Sequence, residues 1–156
     1  MFSNLPRENF YEIALQTVPC VGFNTRRVTR MVTQYFDRAL APVGVRSTQY
    51  SLLSVLAMVD EISMQELAFV LAMDRTTLTR NLNPLLEKEW VQVSVGEDRR
   101  VRPIKITPKG ATILAQALPL WEQAQAKIVD QLGADKWEEM MRGLHQISMI
   151  VEDSNR

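Results

Sequence analysis

Residues 62–106 read ISMQELAFVLAMDRTTLTRNLNPLLEKEWVQVSVGEDRRVRPIKI, and the order of patterns within them decides the fold. Ser63 stands three residues before Glu66, the spacing in which each side chain satisfies the other's free backbone amide at a helix start. A short helix is expected from there to about Ala72. Met73 and Asp74 then interrupt, and Asp74 is a good N-cap for a second helix in which Leu78, Leu82, Leu85 and Leu86 fall on one face. Two helices are thereby joined by a tight turn. Because successive helical residues lie about 100° apart, Thr76, Thr77, Arg80, Asn83 and Pro84 turn away from the leucines, with Arg75 on the first turn. Pro84 removes the amide that would bond the Arg80 carbonyl and is expected to kink or fray the helix's C-terminal half. From Trp90 the period changes to two: Val91, Val93 and Val95 alternate with Gln92 and Ser94, and a second alternating run ends with Ile104 and Ile106. This is a hairpin whose tip, Gly96 to Arg100, is charged.

Outward from this unit the pattern is helical on both sides. Upstream, Val21, Val28, Met31, Val32, Tyr35, Phe36, Ala39 and Leu40 recur at mostly three- and four-residue steps until the Ala41 to Gly44 stretch stops them. Phe10, Ile13 and Ala14 allow a short additional helix before Pro19, and a core helix is expected from about Thr48 to Met58. Downstream, Thr107 and Pro108 form an N-cap and first-turn pair, and a stripe from Leu114 through Trp121 to Leu132 runs up to Gly133. A last helix carries Trp137, Met140, Met141, Leu144, Ile147 and Val151 as one apolar seam, which needs a partner. Met58, Met64 and Met73 are expected to fill gaps in the core or a pocket.

Composition narrows the class. At 156 residues, 46% apolar and 23% charged, the chain is a single folded domain, expected to cover 1–156. The longest apolar stretch, Tyr50 to Val59, is about half a membrane span. The mixed N-terminus is no secretory signal, so a cytoplasmic protein is expected. One cysteine, Cys20, and one histidine, His145, are too few for a disulfide or zinc scaffold, and no cofactor is expected. A phosphate-binding glycine loop and a nucleophile with a histidine partner are also missing from the sequence, which argues against an enzyme. The net charge is zero, but residues 21–50 carry +4 and 74–110 carry +3, while 51–73 and 111–156 carry −3 each. The molecule is bipolar rather than indiscriminately basic.

Helix, tight turn, polar-faced helix and arginine-tipped hairpin form the order of a winged helix-turn-helix, whose second helix enters the DNA major groove. The fold expected is mainly α, with a small β-hairpin wing and long flanking helices. Arg75, Thr76, Thr77, Arg80 and Asn83 can bond base edges or phosphates, and Arg80 is the best base reader because a guanidinium pairs with guanine through two donors. Arg99, Arg100 and Arg102 reach phosphates or the minor groove from the hairpin, with Asp98 able to brace one of them. Since one such helix reads only a few base pairs, a symmetric dimer on a pseudo-palindromic duplex is expected, its half-sites about 34 Å apart.

The sequence resembles the MarR family of multiple-antibiotic-resistance-type transcriptional regulators in three stretches: Ser47 to Leu53, Asp74 to Leu82, and Asp98 to Gly110. The resemblance implies that Thr79 and Arg80 contact DNA from the recognition helix and that Asp98 and Arg100 form a wing pair, the arginine entering the minor groove. It also implies a winged helix-turn-helix over about 47–107 and dimerisation helices over about 8–45 and 108–153. Pro84 departs from the family, many of whose members carry a polar or basic residue there. Members commonly repress and release DNA when a small aromatic or phenolic ligand binds between the dimerisation helices and the winged domain. At that junction Met31, Tyr35, Tyr50, Leu53 and Trp121 are the residues expected to line an apolar cleft, with Arg27 or Arg30 pairing a ligand carboxylate. Other members switch by cysteine oxidation. Cys20 lies near that branch's reactive position, and Arg26 and Arg27 favour a thiolate, but the branch's supporting tyrosines are replaced by Asn24 and Gln34. The ligand is therefore the expected switch. A redox sensor through Cys20 and a winged-helix protein-docking module are the alternatives.

Overall fold

A computed structural model describes Glu12, Ala14, Leu15 and residues 18–94 and 103–154. The chain forms helices α1 (Val21–Leu40), α2 (Ser47–Ala57), α3 (Met64–Val70) and α4 (Arg75–Glu87), strands β1 (Val91–Val93) and β2 (Ile104–Ile106), then helices α5 (Pro108–Leu132) and α6 (Ala134–Ser154). A single 3₁₀ turn, Ala41–Val43, follows α1. Of Phe10, Ile13 and Ala14, on which the expected short upstream helix rests, Ala14 is helical, as are Glu12 and Leu15, while Phe10 and Ile13 lie outside the described residues.

Local chemistry sets most boundaries. Ser63 Oγ accepts from the Glu66 amide at 3.2 Å and the Glu66 carboxylate accepts from the Ser63 amide at 3.0 Å, so the reciprocal cap expected at this position forms. The Thr107 hydroxyl accepts from the Gly110 amide, and Pro108 opens α5. Gly133, at φ 79°, ends α5 in a conformation that a side chain would resist. α2 is capped from another element: Asp37 on α1 accepts from the Ser47 amide at 2.7 Å and from its hydroxyl at 2.8 Å.

One continuous core joins these elements. Leu52, Leu53 and Leu56 of α2, Leu67 of α3, and Leu78, Leu82 and Leu85 of α4 pack with Trp90, Val91, Ile104 and Ala117, closed on the α1 side by Leu40 and Val45. The hairpin pairs antiparallel, Val91 opposite Ile106 and Val93 opposite Ile104. Ile62 adds an antiparallel bridge to Ile104 through both backbone hydrogen bonds, at 3.0 and 2.8 Å. This third short strand ties the entrance of the helix-turn-helix to the wing, a pairing that alternation within the hairpin did not indicate.

Two expectations are corrected. Pro84 does not fray α4, which runs three residues further to Glu87. Leu82 and Leu85 on either side of it are buried, and the Lys88 amide bonds the Pro84 carbonyl, so burial and the next turn hold the segment. Met58 does not fill the core: it caps the end of α2 and is 81% exposed, whereas Met64 and Met73 do pack against the core.

The long helices contrast with this compact centre. α1 buries only Leu40 and α6 buries no residue, leaving Val21, Phe23, Val28 and Met31 on one, and Leu144, Ile147, Ile150 and Val151 on the other, open to solvent. No helix among the described residues is long and apolar enough to cross a membrane.

Candidate nucleic-acid interface

The turn between α3 and α4 aims the exposed face of α4. The Ala72 and Met73 amides bond back to Phe69 and Ala68, and Ala72 adopts a left-handed φ of 49° that lets the chain reverse within two residues. Asp74 then caps α4, accepting from the Thr77 amide at 2.9 Å and the Thr77 hydroxyl at 2.7 Å. Those bonds hold its carboxyl below the usual carboxylate range. With Leu78, Leu82 and Leu85 anchored in the core, Arg75, Thr76, Thr79, Arg80 and Asn83 are left exposed and line one shallow hollow along α4, completed by Pro84.

The structure thus brings together five of the six residues expected on this helix, and separates the sixth. Thr77 is half-buried with its hydroxyl committed to Asp74, so it shapes the helix start. Thr79 donates to the Arg75 carbonyl at 2.8 Å, which leaves its oxygen's lone pairs facing outward. Neither Arg75 nor Arg80 forms an ion pair with a described residue; the ion pair found among those residues joins Lys109 to Glu89. Two free guanidinium groups among hydroxyl and amide side chains, on a rigid cylinder, can approach base edges and phosphates together.

Asp98, Arg99, Arg100 and Arg102 lie outside the described residues. The base of their hairpin is fixed up to the bond from the Ser94 amide to the Pro103 carbonyl, 2.9 Å. Lys105, opposite Gln92 in β2, adds a cation at this base that the sequence reading had not singled out; it occupies the polar phase of a strand chosen for its isoleucines.

The residues expected to line a ligand cleft do not share one surface. Tyr50 and Trp121 stack, with ring centroids 5.7 Å apart, and Phe36 stacks on Trp121 at 6.5 Å. They wall a cleft between α1, α2 and α5 together with Val32, Thr33, Ser47, Thr48, Ser51 and Gln125. Tyr35 faces a different hollow, beside Arg38 and Lys127, and donates its hydroxyl to the Ala124 carbonyl at 3.0 Å. Leu53 is fully buried in the core, while Arg27, Arg30 and Met31 stand exposed on α1. Cys20 is an exposed free thiol at the N-cap of α1.

Fold and face together define a winged helix-turn-helix protein. A family model described as the MarR family matches residues 43–101. The multiple antibiotic resistance protein MarR of Escherichia coli is 32% identical over 116 residues, 70% of this chain and 81% of that protein. Its Salmonella typhimurium counterpart is 36% identical over 95 residues, 58% of this chain and 66%, just under two thirds, of that protein. Among solved structures, the Mycobacterium tuberculosis transcriptional regulator MosR in complex with DNA superposes with a TM-score of 0.79 at 36% identity, covering 86% of this chain and 97% of that one. The chain belongs to the MarR family of winged-helix transcriptional regulators.

Proposed function

We propose that the protein is a dimeric repressor that binds a pseudo-palindromic operator and is displaced from it by a small aromatic ligand. The exposed face of α4 supports this best: Arg75 and Arg80, which pair with no described acidic residue, share one surface with Thr76, Thr79 and Asn83 on a helix braced by three buried leucines. In this reading Arg80 and Thr79 meet base edges, Arg75 and Asn83 meet the flanking backbone, and Arg99, Arg100 and Arg102, one of them braced by Asp98, meet phosphates or the minor groove beside it. The solvent-facing apolar residues of α1 and α6 pack against their equivalents in a second protomer, which makes 8–45 and 108–153 the dimerisation segments and 47–107 the reading unit. Binding of DNA by MosR, the relative with the superposing structure, agrees with this reading. The Tyr50 and Trp121 cleft, at the junction of the two parts, takes the effector.

Footprinting on the promoter region next to the protein's own gene tests the proposal. Two protected half-sites of related inverted sequence, about one helical turn apart, are expected. Uniform coverage without a boundary, or affinity that does not fall as salt rises, would refute it.

A further inference from the structure

The cleft between α1, α2 and α5 has an unusual balance of charge for a site that takes aromatic ligands. Its walls are the stacked rings of Phe36, Trp121 and Tyr50, and its remaining polar lining is hydroxyl and amide; no lysine, arginine or histidine is among the residues that line it. Two carboxylates adjoin the lining. Asp37 bonds both the amide and the hydroxyl of the lining residue Ser47, and Glu122 follows Trp121 directly in α5. Arg46, next to Ser47, Arg30, two residues before Val32, and Arg27, five before it, are all exposed and lie outside the lining. The Tyr50 hydroxyl remains neutral, its pKa raised by burial and further by the Glu122 carboxylate, while a hydrogen bond with Ser54 opposes the shift.

Ring faces carry a negative quadrupole and attract cations, and two nearby carboxylates add to that field, whereas a ligand carboxylate would meet repulsion with no guanidinium in the lining to pair with it. We infer that the cleft selects aromatic ligands bearing a positive charge, such as arylalkyl amines, over aromatic acids of the same size. The inference rests on the cleft being the effector site of the proposed repressor, and it reverses the carboxylate pairing that Arg27 or Arg30 would have supplied.

Three probes with one ring and different charge decide it: benzylamine, benzyl alcohol and benzoate, titrated into the full-length protein at neutral pH. Chemical-shift changes at the Thr33, Ser51 and Gln125 amides locate binding in this cleft. Benzylamine is expected to bind at least about fivefold more tightly than benzyl alcohol, and benzoate more weakly than both. In Asp37→Asn, which keeps the oxygen that accepts from Ser47, and in Glu122→Gln, the preference for benzylamine should shrink while benzyl alcohol binding is unchanged. Benzoate binding as tightly as benzylamine, a preference that survives both substitutions, or no response at these amides to any probe would each overturn the inference. Operator release is measured separately: if benzylamine binds with the expected preference but leaves operator affinity intact, the charge selectivity stands and the effector role falls.

Discussion

Gly110 sits directly against the Trp90 carbonyl, so close that a methyl group in place of its α-hydrogen would overlap the oxygen and its carbon. The Thr107 amide bonds that same carbonyl, and the Thr107 hydroxyl, 3.2 Å from it, accepts from the Gly110 amide; the start of α5 is thereby clamped onto the root of the wing. Gly110→Ala should therefore cost about 1–3 kcal/mol, since neither partner is a flexible side chain that can move aside. Urea denaturation monitored by circular dichroism measures this; a variant as stable as the parent would show that the junction is looser than described.

Acid should weaken the helix-turn-helix through its caps. Thr77 holds the Asp74 carboxyl below its ordinary value of 3.8, and Ser63 holds that of Glu66 below 4.5, through side-chain and backbone hydrogen bonds. Both are depressed in the folded state, so their stabilisation is present above the ordinary values and is lost as pH falls through the lowered ones. The fall in stability between neutral and acidic pH should be shallower in Asp74→Asn than in the parent. Equal slopes would mean that the cap contributes no linkage.

Arg80→Ala should cost about 1–3 kcal/mol on the cognate operator and blur base preference, because a bidentate base contact is lost. Arg100→Ala should weaken cognate and random duplexes more evenly. Fluorescence anisotropy on both duplexes separates the two roles; equal losses on both for Arg80→Ala would assign it to phosphate.

Ile147 lies on the open apolar face of α6. Ile147→Glu should place an unpaired charge in the protomer interface, cost about 3 kcal/mol or more, and convert dimer to monomer at micromolar concentration. Operator affinity should fall with it. Sedimentation velocity supplies the readout, and an unshifted dimer would move the interface elsewhere.

Cys20 is exposed but is the chain's lone thiol, with no second cysteine to resolve an oxidised form within the protomer. Cys20→Ser should keep operator affinity and effector response unchanged. Release of the parent by about one equivalent of peroxide, absent in the variant, would make the thiol the switch.

Much of the fold was legible because its determinants are local. Ser63 with Glu66, Asp74, Thr107 with Pro108, and Gly133 each mark an end within four residues, and the leucines of α4 announce their own buried face. Features set by partners distant in sequence were not. The Ile62 to Ile104 bridge spans the whole helix-turn-helix, and Asp37 caps a helix ten residues away. Helical facing puts Tyr35 and Tyr50 near the same junction, but Tyr35 lines a hollow walled by α1 and α5 alone, while the cleft that Tyr50 lines also takes in α2. Thr77 illustrates the limit on α4: its position marks it as exposed, while its bond to Asp74 makes it part of the helix start.

The bridge between Ile62 and Ile104 also bears on how an effector could act. The helix-turn-helix is stitched to the wing through backbone bonds, so the proposed reading unit would move as one body when the cleft between α1, α2 and α5 is occupied. In the proposed dimer, a ligand wedged there would alter the reach between two heads instead. On a duplex that repeats about every 34 Å, the regulated quantity becomes the length of a ruler, and the sequence each head favours is the same in the bound and the released protein.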